Sequence, residues 1–265
     1  MGIWHILESA IQGTLALHTG NVLAESPLLS VIVPVFNEAH HIDAVLERIC
    51  RVAVHMELIV VDDASSDGSW EHLVALQKRF EGDPRCKWQL IRLPTNRGKG
   101  FAVRVGVAAA AGAVVLIQDG DLEYDPADYP TLISPILAGK TRVVYGNRFG
   151  CGSKASYWWH RYGNYLLTAT GNWLLGGQLS DLHTGYKVFD AKLLRSLSLK
   201  EDRFGFDSEI TAALFKRGEA IFEVPVSYSP RSYAQGKKIG ARALVDTLRV
   251  YCRFGIRRRL QMVWT

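Results

Sequence analysis

The chain has 265 residues, of which 48% are hydrophobic and 22% charged, the values of an ordinary globular protein with length enough for one substantial core. Its formal charge of +5 and pI near 9.0 lean towards anionic partners: nucleotides, phospholipids or nucleic acid. No run approaches the ~18 to 20 apolar residues of a membrane-spanning helix, and Cys50, Cys86, Cys151 and Cys252 form no Cys-x-x-Cys pair, so neither a zinc site nor a disulfide framework is indicated and a reducing cytosol is the expected compartment.

Residues 1–28 place Ile3, Trp4, Ile6, Leu7, Ala10, Ile11, Leu15 and Leu17 among His5, Glu8, Gln12 and His18. That is helical spacing without the basic start and continuous apolar middle of a secretory signal. An amphipathic N-terminal extension is expected, packed on the domain or lying on a membrane. Strands are then expected at 29–35, 58–62, 88–93, 113–118 and 143–146, alternating with helices at 39–52, 69–80, 100–111 and 128–137. This βα alternation with short connections predicts an α/β fold: a Rossmann-like, mostly parallel sheet with helices on both faces. Residues 29–150 form its nucleotide-binding half.

Beyond the small-residue linker 150–156 the character changes. A long aromatic-rich helix is expected over 157–175, a strand at 186–189, a helix at 206–217 and a strand at 220–226, then the polar loop 229–240. Residues 151–240 make an acceptor-side extension, and 241–265 a basic amphipathic helix that either packs or rests on an anionic leaflet. No internal repeat divides the two halves.

The chemistry is sought where strands end, because open α/β sheets bind ligands at the carboxyl edge. Asp119-Gly120-Asp121 follows the apolar run Ala113–Ile117 and offers two carboxylates one residue apart, with Glu123 as a third oxygen donor. Oxygen ligands suit a hard divalent cation that also holds phosphate oxygens. Strand one ends in Pro34-Val35-Phe36-Asn37-Glu38 and strand two in Val61-Asp62-Asp63, placing an aromatic that can stack on a base beside carboxylates that can accept from a base edge or ribose. Asp67 and Ser69 read as a turn and helix cap.

Asn96-Arg97-Gly98-Lys99-Gly100 resembles an anion site but lacks the Walker A pattern, and Lys99 either contacts the nucleotide or lies solvated. Arg148, after the next strand, carries a planar fork suited to phosphate. Arg231 and Lys237 lie in a glycine-containing loop able to close over a diphosphate. The eight histidines show no metal-ligand rhythm and no Gly-x-Ser-x-Gly elbow occurs, which removes support for a serine hydrolase.

Taken together, Val33-Pro34-Val35-Phe36-Asn37-Glu38, Val61-Asp62-Asp63-Ala64-Ser65, Asp119-Gly120-Asp121-Leu122-Glu123 and Tyr145-Gly146-Asn147-Arg148 resemble the inverting glycosyltransferases of family two, with a GT-A fold. Downstream, Thr184-Gly185-Tyr186-Lys187-Val188-Phe189 and Glu223-Val224-Pro225-Val226-Ser227-Tyr228 resemble the dolichyl- or polyprenyl-phosphate mannose and glucose synthase branch. The resemblance implies that Pro34, Phe36, Glu38, Val61 and Asp63 hold the nucleoside. It implies that Asp119, Gly120, Asp121 and Glu123 surround Mg2+ or Mn2+ and the diphosphate, and that Arg148, Arg231 and Lys237 bind phosphates. Phe36 stands where the family often has tyrosine, Glu123 where the mannose synthases have glutamine, and Gly236 where serine is frequent. The Gln-x-x-Arg-Trp motif of processive synthases is absent.

The expected reaction is attack by an acceptor phosphate oxygen on the anomeric carbon of GDP-mannose or UDP-glucose, with inversion, on the cytoplasmic side and with peripheral membrane contact. A lipid monophosphate, with a second pKa of ~6, needs no strong base. The alternatives are a sugar or protein hydroxyl acceptor, with Asp207 or Glu209 as base, and a non-catalytic nucleotide- or RNA-binding module. Solvent-facing aromatics on a basic sheet, which RNA would favour, are not identified.

Overall fold

The computed structural model describes residues 28–150, 158–230 and 241–263. Seven strands and eight helices alternate there: β1 (Leu29–Val35), α1 (Ile42–Cys50), β2 (Met56–Asp62), α2 (Ser69–Arg79), β3 (Cys86–Arg92), α3 (Lys99–Ala109), β4 (Val114–Ile117), α4 (Tyr129–Leu137) and β5 (Val143–Asn147) in the first half. The second half adds α5 (Trp158–Leu175), β6 (Lys187–Asp190), α6 (Ala191–Arg195), α7 (Gly205–Lys216), β7 (Phe222–Pro225) and α8 (Ala241–Val263). The expected N-terminal extension lies outside the described residues, as do Arg231, Lys237 and the rest of their loop. Short α6 had no expectation; it follows β6 directly and is capped by Asp190, whose side chain accepts from Leu193 N.

The sheet runs β3-β2-β1-β4-β6-β5-β7. Its core strands are apolar on both faces, as strands covered from two sides must be. Along β1, Leu29, Val31, Val33 and Val35 join one core with Leu46, Ile49, Leu73 and Tyr129. Ile32, on the opposite face, joins a second with Val103, Phe189, Phe206, Ile210 and Tyr251. Gly106 permits the close seat of α3 on β1: a Cβ there would meet Ile32 Cγ2 at 2.5 Å.

One strand departs from the expected parallel pairing. β6 is antiparallel to both β4 and β5, while β1, β2, β3 and β4 pair in parallel and so do β5 and β7. With Lys187 opposite Ile117, β6 begins at the edge where β4 ends. Reversal of this one strand therefore brings Thr184, Gly185 and Lys187 to the edge that carries Asp119.

The helices of the second half pack through α8, where Val250 and Tyr251 are wholly buried and Arg249 and Arg253 both pair with Glu201. Helix α5 instead presents Tyr162, Tyr165, Leu166, Ala169 and Trp173 to solvent at positions that share one helical face. Among the described residues no helix is long and apolar enough to cross a membrane.

Candidate active site

The tips of β1 and β2 are held in a conformation that few side chains adopt. Asn37 and Ala64 have φ of 54° and 58°, the left-handed region, and such outliers persist only where the surroundings fix them. Here Asn37 N donates to Ser65 Oγ at 2.9 Å, Ser66 N donates to Asn37 Oδ1 at 2.9 Å, and Glu38 N donates to Ser69 Oγ at 2.9 Å. Asp67 fills the turn role read from sequence, accepting from Ser69 N at 3.0 Å and Ala39 N at 3.1 Å. The lock leaves Phe36 41% exposed at the rim, with Pro34 and Glu38 half-buried and Val61 in the core below.

Asp63 is the anchor between strand tip and loop. It is buried, and its two carboxylate oxygens accept from Arg97 N at 2.7 Å and Gly98 N at 2.6 Å. The Asn96–Gly100 segment that looked like an anion site therefore already has its anion, a side chain of the protein.

Asp119-Gly120-Asp121 leaves β4 with Gly120 packed beneath β1, where an added Cβ would approach Pro34 O at 3.3 Å. Asp121 Oδ1 accepts from Glu123 N at 3.0 Å, closing the turn. Glu123 leans the other way: its carboxylate accepts from Tyr228 OH at 2.9 Å, and its carbonyl from Ser229 N at 2.8 Å. Among the described residues no three acidic, histidine or cysteine side chains gather at metal-binding distance, so Asp119, Asp121 and Glu123 do not form a three-carboxylate cluster.

Opposite Asp119 stands Gly185, where a Cβ would lie 2.5 Å from Asp119 Oδ2 and 2.7 Å from the Tyr124 ring. Only glycine leaves room for both. Gly185 N donates to Tyr124 OH at 2.6 Å, and the Tyr124 ring packs on Tyr228 at 5.3 Å between centroids.

Lys99 does not lie solvated; it is buried in ion pairs. Its ammonium lies 2.8 Å from Asp119 Oδ1 and 3.3 Å from Asp207 Oδ2, with Lys187 3.0 Å from the other Asp207 oxygen. Lysine, aspartate and lysine thus form a ladder under the acidic turn, closed by Thr184 O, which accepts from Lys187. Burial alone would raise the Asp207 pKa; Lys187 and Lys99 outweigh it and hold the carboxyl well below the usual range. A carboxylate so stabilised is a poor proton acceptor. Glu209 is equally committed, being buried and accepting from Lys200 N and Glu201 N, both at 2.7 Å. Neither acid considered as a base for a hydroxyl acceptor is placed to act as one.

Arg148 is aimed by a partner the sequence gave no reason to single out. Asp181, wholly buried, receives Arg148 Nε at 2.6 Å and Nη2 at 2.7 Å in a bidentate pair, and Asn164 Nδ2 at 3.2 Å. The guanidinium carbon sits 5.1 Å from the Tyr228 ring centroid. Asp119 and Arg148 thus border one aromatic wall, made by Tyr124 and Tyr228, from different sides.

Residues 30–198 match the family described as glycosyl transferase family 2. The chain belongs to that family. A polyprenol monophosphomannose synthase of Mycolicibacterium smegmatis is 25% identical over 241 residues, covering 87% of this chain and 88% of that one. A dodecaprenyl-phosphate galacturonate synthase of Rhizobium johnstonii is 25% identical over 218 residues, and the match spans 79% of this chain but only 61% of the relative's length. Among solved structures, glucosyl-3-phosphoglycerate synthase from Mycobacterium tuberculosis, in complex with Mn2+, UDP and glucosyl-3-phosphoglycerate, superposes with a TM-score of 0.68 at 21% identity, over 92% of this chain and 83% of that one. The mostly parallel seven-stranded sheet with helices on both faces is the GT-A glycosyltransferase fold.

Family 2 membership makes a divalent cation the natural question at the acidic turn, and the donor set fits one. Mg2+ and Mn2+ accept one or two carboxylates and complete their shells with phosphate oxygens and water. Asp119 and Asp121 are the two carboxylates of the turn that could serve, with one Asp119 oxygen already paired to Lys99.

Among the described residues, His183 is a histidine drawn into this neighbourhood. Its Nε2 lies 2.8 Å from Tyr251 OH, and burial, reinforced by Lys187, pushes its pKa down to about 4. Between that value and the ~6.5 of an unfolded chain, the unfolded state binds the extra proton, so folding stability falls as pH drops through the window. Denaturant unfolding at pH 7 and pH 4.5 is expected to show this loss, and His183→Asn to reduce it. An unchanged difference in the variant assigns the loss to other groups.

Proposed function

We propose that this family 2 protein transfers a hexose from a nucleotide-sugar, GDP-mannose or UDP-glucose, to a polyprenyl phosphate, inverting the anomeric configuration. One observation carries the choice of acceptor. A hydroxyl acceptor must lose its proton to a base, and both Asp207 and Glu209 are held by strong donors. A phosphate monoester arrives ionised and asks for positive charge instead, as Arg148 offers. The relatives named as polyprenol-phosphate mannose and dodecaprenyl-phosphate galacturonate synthases support the same reading.

In this reading Phe36 and Glu38 border the nucleoside, with Pro34 and Val61 shaping the floor and Asp63 fixing the loop beneath it. Asp119 and Asp121 hold Mg2+ or Mn2+, which when bound neutralises the departing diphosphate. Gly120 and Gly185 allow the close approach that this geometry requires. Arg148, braced by Asp181, orients the acceptor phosphate, with Arg231 and Lys237 as further phosphate ligands. Glu123 positions Tyr228 and the turn rather than serving as a full metal ligand.

The acceptor's lipid tail calls for contact with a membrane surface, on its cytoplasmic face in this reading. The apolar, aromatic stripe of α5 suits the headgroup boundary, where tyrosine and tryptophan are favoured. A panel of nucleotide-sugars with Mn2+ is expected to give one donor whose sugar appears on a short, water-soluble polyprenyl phosphate. The double substitution Tyr165→Ser/Leu166→Ser should preserve that reaction and slow transfer to a long polyprenyl phosphate carried in anionic phospholipid vesicles. Transfer to sugar hydroxyls with no transfer to the phosphate would sink the acceptor assignment; equal slowing of both reactions would sink the membrane role of α5.

A further inference from the structure

Cys50 closes α1 and Cys86 opens β3, 36 positions apart in sequence, yet their sulfurs face each other at 3.5 Å. Both are free thiols, 4% and 3% exposed. The sequence spacing gave no hint of the pair, because the contact is made by an edge strand returning beside a helix end. Cys86 pairs with Met56, the first residue of β2, so the thiols lie at the amino edge of the sheet, the edge opposite Asp119 and Asp121.

The setting favours chemistry at one sulfur of the two. Cys50 is held below the ordinary thiol value by the hydrogen bond from Cys86, against the opposing effect of burial. The indole N–H of Trp88 is buried and makes no hydrogen bond of good geometry, yet it lies near enough to Cys50 to favour its thiolate. An ionised Cys50 would give that orphaned donor its acceptor. Arg51 and Arg85, each adjacent in sequence to one cysteine, are paired with Glu47 and Asp83, so the rim charge is balanced and the preference for Cys50 rests on its contact with Cys86. Bond formation requires a sulfur separation of about 2.05 Å, a closure of about 1.5 Å. Cys50 is the last residue of its helix and β3 is the outermost strand, so both ends of the pair lie where the backbone can give.

We propose that Cys50 and Cys86 are a reversible oxidation site, closing to an intramolecular disulfide when the protein meets a peroxide. The Cys50 thiolate attacks one peroxide oxygen, the O–O bond breaks, and the departing oxygen takes up a proton. The resulting sulfenic acid is attacked by the Cys86 sulfur; the S–O bond breaks and water leaves. With hydrogen peroxide, two thiols and one oxidant give one disulfide and two waters, the two electrons passing from sulfur to oxygen. The disulfide would fasten the outer strand to α1 without reaching the acidic turn.

The test treats the reduced full chain with graded hydrogen peroxide, alkylates remaining thiols in denaturant, and maps the digested peptides. Exposed Cys252 is the internal standard for oxidant delivery. The expected result is a Cys50–Cys86 linked peptide with the mass of two hydrogens missing, reversed by dithiothreitol. The melting temperature should rise by several degrees while nucleotide-sugar binding is unchanged. Cys50→Ser should remove both the linked peptide and the rise; if it does not fold, Cys86→Ala serves as the same control. Full oxidation of Cys252 with Cys50 and Cys86 still alkylatable, or linkage of either to a different cysteine, would overturn the proposal.

Discussion

Replacing Asp121 with asparagine is expected to lower kcat/KM for glycosyl transfer by at least about a hundredfold and to weaken Mn2+ binding in the presence of the nucleoside diphosphate. Asparagine keeps the side-chain oxygen that accepts from Glu123 N, so the turn survives and only the charge is lost. Alanine would remove both, which makes the asparagine variant the cleaner measurement. Asp119→Asn should behave similarly in transfer but differ in one respect. Lys99 loses one of its two counter-charges and is left with Asp207, so that variant should also lose stability. Titration of Mn2+ monitored by calorimetry, alongside steady-state rates at saturating metal, separates the cases. Normal transfer by Asp121→Asn at saturating Mn2+ would mean that the cation is held elsewhere.

Asp181→Ala is expected to cost about 3–5 kcal/mol of folding stability, the largest single loss among the substitutions considered. Asp181 is wholly buried and Arg148 partly so, and removing the acid strands a guanidinium that it bound through two hydrogen bonds. Burial alone would raise the Asp181 pKa, yet Arg148 holds it below the usual range, which measures how strongly the pair is coupled. The double substitution Arg148→Met/Asp181→Leu removes both charges together and should recover most of the stability, since apolar side chains of similar volume often replace a buried pair without loss. Transfer should not recover if Arg148 binds the acceptor phosphate as proposed. Urea unfolding and transfer rates on the three proteins test this. Recovery of activity in the double variant would reduce Arg148 to a structural role.

The order of strands and helices could be read from the chain because buried parallel strands are apolar runs and the helices between them are amphipathic. Asp119-Gly120-Asp121 was legible for a related reason: acids immediately after such a run must emerge at the carboxyl edge. What the pattern could not show was direction. Residues 187–190 look like any short strand, and nothing local says that β6 runs against its neighbours, so the delivery of Gly185 to Asp119 and of Lys187 to Asp207 was invisible. Lys99 illustrates a second limit. Glycines and cations before a helix suggest an anion site, and there is one, but its anions are Asp63 and Asp119 of the protein itself. Asp181 was missed because a lone acid in a polar turn carries no periodicity; its importance comes wholly from long-range pairing with Arg148. The same holds for Cys50 and Cys86.

Antiparallel β6 also bears on how this protein can be re-engineered. It is contributed by the second half of the chain yet sits between β4 and β5 of the first. A fragment ending near residue 150 would lose β6 and β7 together, leaving β4 with an unpaired edge and β5 with no neighbour on either side, ready templates for aggregation. Grafting the later segment from a homologue therefore exchanges a central slat of the first half's sheet as well. A chimera stands the best chance when the transplanted piece brings side chains that match Ile117 and Val144 across the seam.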